Sequence, residues 1–170
     1  QEGLYRHFKT IAEESDLPMI VYNIASRTGV NIEPETMARI SKVKNIVGVK
    51  ESSGNLEQMA MIRYLCGDKF DLISGDDALT LPLLAIGGTG VISVVNNIAP
   101  KDVAEMVSKF KKQDMEGARK LHYKLLPLIK AVFLETNPIP VKTAMSLMGM
   151  IEPDLRLPLC SMSEVNLEKL

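Results

Sequence analysis

The chain has little of what marks a secreted, membrane-bound or nucleic-acid-binding protein. Only two cysteines, Cys66 and Cys160, occur in 170 residues. Far apart and without metal-type spacing, they exclude a disulfide framework and read as buried thiols in a reducing cytosol. There is no apolar run of about 18 residues and no signal-peptide pattern, which argues against a membrane span and for a cytoplasmic chain. An excess of one charge is missing too. The 20 Lys and Arg face 21 Asp and Glu, a net charge of −1 with no block of like sign, so neither nucleic acid nor membrane is an expected partner and a small molecule is. The two histidines, His7 and His122, have no carboxylate cluster around them and are read as structural; no metal site is expected. Linkers, low-complexity segments and short-period repeats are absent as well.

What is present is an alternation of strands and helices. Residues 3–15 have Leu4, Phe8, Ile11 and Ala12 on one helical face, and residues 17–22 form a strand whose Ile20 and Tyr22 share a face. A loop over 23–29 and a helix opened by Pro34 lead to a β-branched strand ending at Lys50. Asn55 is placed to cap the next helix, with Gln58 reaching back to it, and a third strand covers 70–74. Gly75-Asp-Asp77 leads into a helix over 78–86, and Gly87-Gly-Thr-Gly90 is a tight turn into a fourth strand over 91–95. Asp76 and Asp77 read as helix caps in preference to metal ligands. The remainder is helical: from Pro100, from 114 to 135 with Pro127 inside, from 141 to 148 closed by Gly149, and a last short helix from Ser163. The methionines, among them Met145, Met148 and Met150, read as core and contact filler. This spacing implies a parallel α/β sheet, half of a (β/α)8 barrel, followed by helices.

The strand Asn45-Ile-Val-Gly-Val-Lys-Glu is the stretch with chemical content. Strict alternation turns Ile46, Gly48 and Lys50 one way and Val47 and Val49 the other. Lys50 then points into a cavity with an apolar floor, with Gly48 leaving space beneath it. Poor hydration there favours the neutral amine, a nucleophile toward carbonyls. Taken alone, a lysine at a strand end is more often a solvated surface charge or half of an ion pair. In a barrel the C-terminal strand ends, here Tyr22, Lys50, Gly75 and the segment 93–97, form the active-site face.

Taken together, Tyr22-Asn-Ile-Ala-Ser-Arg-Thr-Gly29, Gly48-Val-Lys-Glu-Ser-Ser-Gly-Asn55, Ser74-Gly-Asp-Asp77, Gly87-Gly-Thr-Gly-Val-Ile-Ser93 and Asn137-Pro-Ile-Pro-Val-Lys142 resemble the dihydrodipicolinate synthase family. The resemblance implies a class I aldolase-like barrel that condenses pyruvate with aspartate semialdehyde in lysine biosynthesis, without metal or organic cofactor. It implies Lys50 as the imine-forming lysine and Tyr22 as the proton-relaying phenol. It further implies a main-chain pyruvate contact at Ile92, a substrate-binding place for Gly75, and Arg27 as the clamp for the semialdehyde carboxylate. Arg27 also separates this family from the related N-acetylneuraminate lyases and keto-sugar-acid aldolases, the alternative activities. Ala25 stands where the family commonly has proline.

On this reading, residues 1–112 are the C-terminal half of the barrel and 113–170 a helical domain. The first four strands, a threonine pair, a second tyrosine and a lysine-feedback site then lie outside the chain. The half-barrel is expected to pair with that other half or with another copy, in a homotetrameric parent, and a half-barrel without turnover is the remaining alternative.

Overall fold

The computed structural model describes residues 1–170. Contacts divide the chain into two compact units, Gln1–Ile92 and Ser93–Leu170. This grouping places the helix beginning at Pro100 with the later ones, whereas the sequence reading draws its boundary after it, at 112/113.

In the first unit, helix α1 (Glu2–Glu13) is followed by β1 (Met19–Asn23), α2 (Ala25–Thr28), α3 (Pro34–Ile40) and β2 (Ile46–Glu51). Helix α4 (Leu56–Cys66), β3 (Asp71–Ser74), α5 (Thr80–Ala85) and β4 (Gly90–Val91) complete it. The strands form one parallel sheet in the order β1-β2-β3-β4, with β1 and β4 as edges. One face is sealed by helices: Val21, Val49 and Leu72 are buried against Met37, Ile40, Met59, Ile62 and Leu83. The other is open, with Ile20 and Tyr22 of β1 exposed.

Several expectations are corrected. The apolar stripe of α1 runs through Leu4, Tyr5, Phe8 and Ala12, which leaves Ile11 at its margin and exposed. Strict alternation in β2 fails at its start. The β1–β2 register slips between Met19 and Ile20, so Met19 faces Ile46 but Ile20 faces Gly48. This bulge-like skip places Ile46 in the buried core and leaves Val47 37% exposed, the reverse of the expected faces. Alternation resumes from Gly48, and Ile46 is no floor for Lys50. The loop 23–29 closes into the single turn α2, ended by Gly29 in the left-handed region at φ 73°. Asn55 caps α4 by accepting the Gln58 N–H (3.1 Å), but the Gln58 side chain turns to Asn31 and Glu51 instead of back to the cap. Helix α5 starts at Thr80, not at the expected residue 78, and no side chain caps it: Asp76 Oδ1 accepts the Ala78 N–H at 2.8 Å in the turn ahead of the helix, so Asp76 is a turn residue and not a helix cap.

The fourth strand is only two residues long. Past Ile92, the Ser93 hydroxyl accepts the Asn96 N–H (2.9 Å) and bends the chain into a 3₁₀ turn, Val95–Asn97, with Val95 fully buried. The second unit continues with α6 (Pro100–Lys111), α7 (Met115–Ala131), α8 (Ile139–Leu147) and the short α9 (Glu164–Leu167). Val103 and Met106 of α6 and Ala118, Leu125 and Ile129 of α7 are among its buried residues, and Asp114 caps α7 through Gly117 N–H at 2.9 Å. Met148 and Met150 are exposed and not core filler, because they sit at the end of α8 and in the coil beyond it. Cys160 is likewise exposed on the irregular stretch before α9, while Cys66 is half-buried. No helix is long and apolar enough to cross a membrane.

Helix α9 is tethered through one carboxylate: Glu135 accepts from Asn166 Nδ2 (2.9 Å), Ser163 N–H (3.0 Å) and Ser163 Oγ (2.7 Å). These donors, Asn166 foremost, hold the Glu135 carboxyl below the ordinary carboxylate range. A lowered pKa means that the tether is fully present above the usual glutamate value, about 4.3, and is lost as pH falls through the lowered one. Acidification below the ordinary glutamate value of about 4.3 should therefore shift the Ser163 N–H and Asn166 side-chain amide resonances, and shift them less in Glu135→Gln, whose side-chain oxygen accepts at any pH.

Candidate active site

Beyond the last paired residues, the ladder between strands continues in step. Ser52 N–H donates to Asn23 O, Gly75 N–H to Glu51 O and Ile92 N–H to Ser74 O, each at 2.9 Å. The loops after β1, β2 and β3 thus leave the sheet at one level. Within that rim, Tyr22 and Lys50 are direct cross-strand partners. The Lys50 ammonium lies over the phenol ring, Nζ 4.0 Å from the centroid, a distance at which a cation is attracted to the ring face. Lys50 is half-buried and Tyr22 is 42% exposed, so the pair faces the open side of the sheet.

Gly75 is the third member. A Cβ built there would stand 1.9 Å from Ser52 Oγ and 3.0 Å from both Cγ and Cε of Lys50. Its missing side chain is the space in which the lysine stem lies. That role had been expected of Gly48, but the Gly48 position faces β3 instead: a Cβ there would be 2.7 Å from Asp71 Cβ and 2.7 Å from Asp71 O. Gly48 lets two strands approach; Gly75 makes room for the amine.

The remaining candidates surround this cluster. Ile92 follows β4, and because its N–H is spent on Ser74, a main-chain contact to a ligand falls to its carbonyl. Arg27 lies exposed on α2, one helical turn beyond Tyr22, where Arg27 and Thr28 N–H both donate to Ile24 O. Ala25 occupies the first position of that turn, the place where proline is best tolerated, so the turn survives the alanine. A small cavity of about 160 Å³ beside Tyr22, walled by Leu4, Phe8, Val30 and Ile32 among others, does not include Lys50. It lies apart from the amine.

Two residues of this region escape a reading of the sequence. The Ser52 hydroxyl is buried without a hydrogen-bond partner and crowds the same point as Lys50; its place after Lys50-Glu51 was the only hint. Glu51, fully buried, is the other. A charged residue at a position that alternation assigns to the sealed face was a clue to it.

Comparisons with known proteins agree with this architecture. The chain matches the Dihydrodipicolinate synthetase family over residues 1–170. It is 60% identical over 171 residues to the 4-hydroxy-tetrahydrodipicolinate synthase of Endomicrobium trichonymphae, covering 100% of this chain and 58% of that protein. Among solved structures, the dihydrodipicolinate synthase of Thermotoga maritima superposes with a TM-score of 0.96 at 49% identity, over 99% of this chain and 58% of that one. The 4-hydroxy-tetrahydrodipicolinate synthase of Methylacidiphilum fumariolicum does so with a TM-score of 0.97 at 44% identity, over 99% and 56%. The chain thus spans under three-fifths of the length of these relatives.

Proposed function

This chain belongs to the Dihydrodipicolinate synthetase family, its sheet being the second half of a (β/α)8 barrel followed by helices, and on that premise we propose that Lys50 forms an imine with pyruvate for condensation with aspartate semialdehyde. The observation that carries this is the apposition of Lys50 and Tyr22 at adjacent strand ends, with Nζ over the ring and Gly75 clearing space for the stem.

In the proposed sequence, the neutral Lys50 amine attacks the pyruvate C2 carbonyl and, with one proton taken up, the former carbonyl oxygen leaves as water, giving a protonated imine. That cation is the electron sink: a C3 proton passes to the relay that includes Tyr22, giving an enamine, whose C3 then attacks the semialdehyde aldehyde carbon while the aldehyde oxygen takes a proton and the imine cation is restored. A lone phenol is a poor base, so Tyr22 moves protons only with hydrogen-bonded help. The Ile92 carbonyl and the Gly75 backbone line the pyruvate position. The Arg27 guanidinium offers the planar fork that suits a carboxylate, and so selects the amino-acid aldehyde over a sugar-derived one. By the family's architecture, the division we propose stays at 112/113, with α7 to α9 as the helical domain. A parallel sheet is normally covered on both faces. The exposed Ile20, Tyr22 and Ile92 therefore support completion of the barrel by further strands, from its own other half or from a second copy, in a homo-oligomer.

Arg27→Leu tests the substrate assignment. In the complete polypeptide that carries this sequence, turnover should need about 10- to 100-fold more semialdehyde for half-maximal rate, the worth of a charge-assisted carboxylate contact, with pyruvate capture unchanged. An unchanged semialdehyde dependence would contradict the clamp and favour a keto-sugar-acid aldolase.

A further inference from the structure

On the sealed side of the sheet, directly behind the Tyr22–Lys50 pair, lies a closed ring of polar side chains. Asn23 and Glu51 are cross-strand partners, one residue past Tyr22 and Lys50 respectively, and are 1% and 0% exposed. Glu51 Oε2 accepts from Asn23 Nδ2 (3.0 Å) and Gln58 Nε2 (3.5 Å), and Oε1 accepts from Ser53 N–H (2.7 Å). Asn23 Nδ2 also donates to Asn31 Oδ1 (2.9 Å), and Asn31 Nδ2 donates to Gln58 Oε1 (2.8 Å). Asn23 Oδ1 accepts from Ile32 N–H (3.0 Å).

These donors to Glu51 are all neutral. A buried acid is costly to maintain, and here its specific asset is geometric. Both oxygens accept, whereas an amide would turn an NH₂ toward groups that are themselves donors. The bonds reach three backbone segments of the proposed site: the end of β1 after Tyr22, the turn after Lys50 through Ser53, and the return from α2, which bears Arg27, through Ile32 and Asn31.

We propose that Glu51 is a positioning residue for the imine chemistry: with Asn23, Asn31 and Gln58 it fixes the two strand ends in the register that sets the Lys50 amine against Tyr22. This rests on the function proposed above. Displacing a reacting group by about 1 Å costs on the order of 100-fold in rate, so a ring that holds both strand ends bears on rate more than on binding.

The test uses the complete polypeptide carrying this sequence, its Glu51→Gln variant, and Asn31→Ala, which removes ring bonds at a half-buried loop position. For each, the rate of borohydride-trapped pyruvate on Lys50 at saturating pyruvate, the half-saturating pyruvate concentration and the melting temperature are measured. Glu51→Gln should lower the saturating rate about 10- to 100-fold with a much smaller change in the half-saturating concentration, and Asn31→Ala should act in the same direction, less strongly. Variants that melt earlier yet trap at the unsubstituted rate per folded molecule would overturn the proposal, reducing the ring to a stabilising cluster. If Glu51→Gln does not fold, the saturating rate of Asn31→Ala decides alone: a fall upholds the proposal and an unchanged rate overturns it. An unmodified Lys50 in the unsubstituted protein is a different failure, since it overturns the proposed function itself and this inference with it.

Discussion

Gly75→Ala should cut pyruvate capture at Lys50 by about 10-fold, less than the roughly 100-fold that a full ångström of misplacement costs, because the lysine stem must give by only a few tenths of an ångström, and the protein should stay folded. The added methyl would stand 1.9 Å from Ser52 Oγ and 3.0 Å from Cγ and Cε of Lys50. The hydroxyl is a light rotor that can turn away. The lysine stem cannot yield without carrying Nζ from its place over Tyr22. Overpacking of this kind costs about 1–3 kcal/mol, so the melting temperature should fall only modestly. The double variant Ser52→Ala/Gly75→Ala separates the two contacts: the hydroxyl clash disappears, the crowding of Lys50 stays, and capture should recover only in part. Full recovery would show that the methyl acts through Ser52 and not by displacing the lysine.

Gly48→Ala should be the most destabilising of the glycine replacements in the sheet. Its Cβ would meet Asp71 Cβ and Asp71 O, both at 2.7 Å. Because Gly48 and Asp71 are register partners across β2 and β3, the clash is with backbone that no rotamer change relieves. A loss of about 1–3 kcal/mol is expected, seen as about 2–4 °C of melting temperature for each kcal/mol in a chain of this size. Gly90→Ala is the control within the same sheet. Nothing lies within 4 Å of its added Cβ, so it should melt near the unsubstituted protein. Equal melting of the two variants would contradict the β2–β3 register.

Much of this site was legible because its signals are local. A β-branched run ending in Lys50, a tyrosine closing the preceding strand, and an asparagine at a helix start follow from alternation and capping, and the structure has Lys50 beside Tyr22 and Asn55 capping α4. What was not legible depends on partners distant in sequence. The outward turn of Val47 comes from a register slip against β1, a property of two strands that one strand's pattern does not contain. Gln58 at the third position of α4 fits a capping box, yet Asn31 and Glu51, brought near by folding, take its side chain. Gly48 and Gly75 look alike in sequence, and only the surroundings reveal that one admits a neighbouring strand and the other a lysine. β4 ends early because Ser93 bonds forward to Asn96, a local option that competes with the ladder.

The central claim is that the half-buried amine at the end of β2 is the nucleophile, and the most direct measurement is mass spectrometry of the complete polypeptide after pyruvate and borohydride, with the modified peptide mapped. A single reduced pyruvyl group on Lys50, abolished in Lys50→Arg, is the predicted result. Label spread over exposed lysines such as Lys44 or Lys101, with Lys50 unmodified, would contradict it.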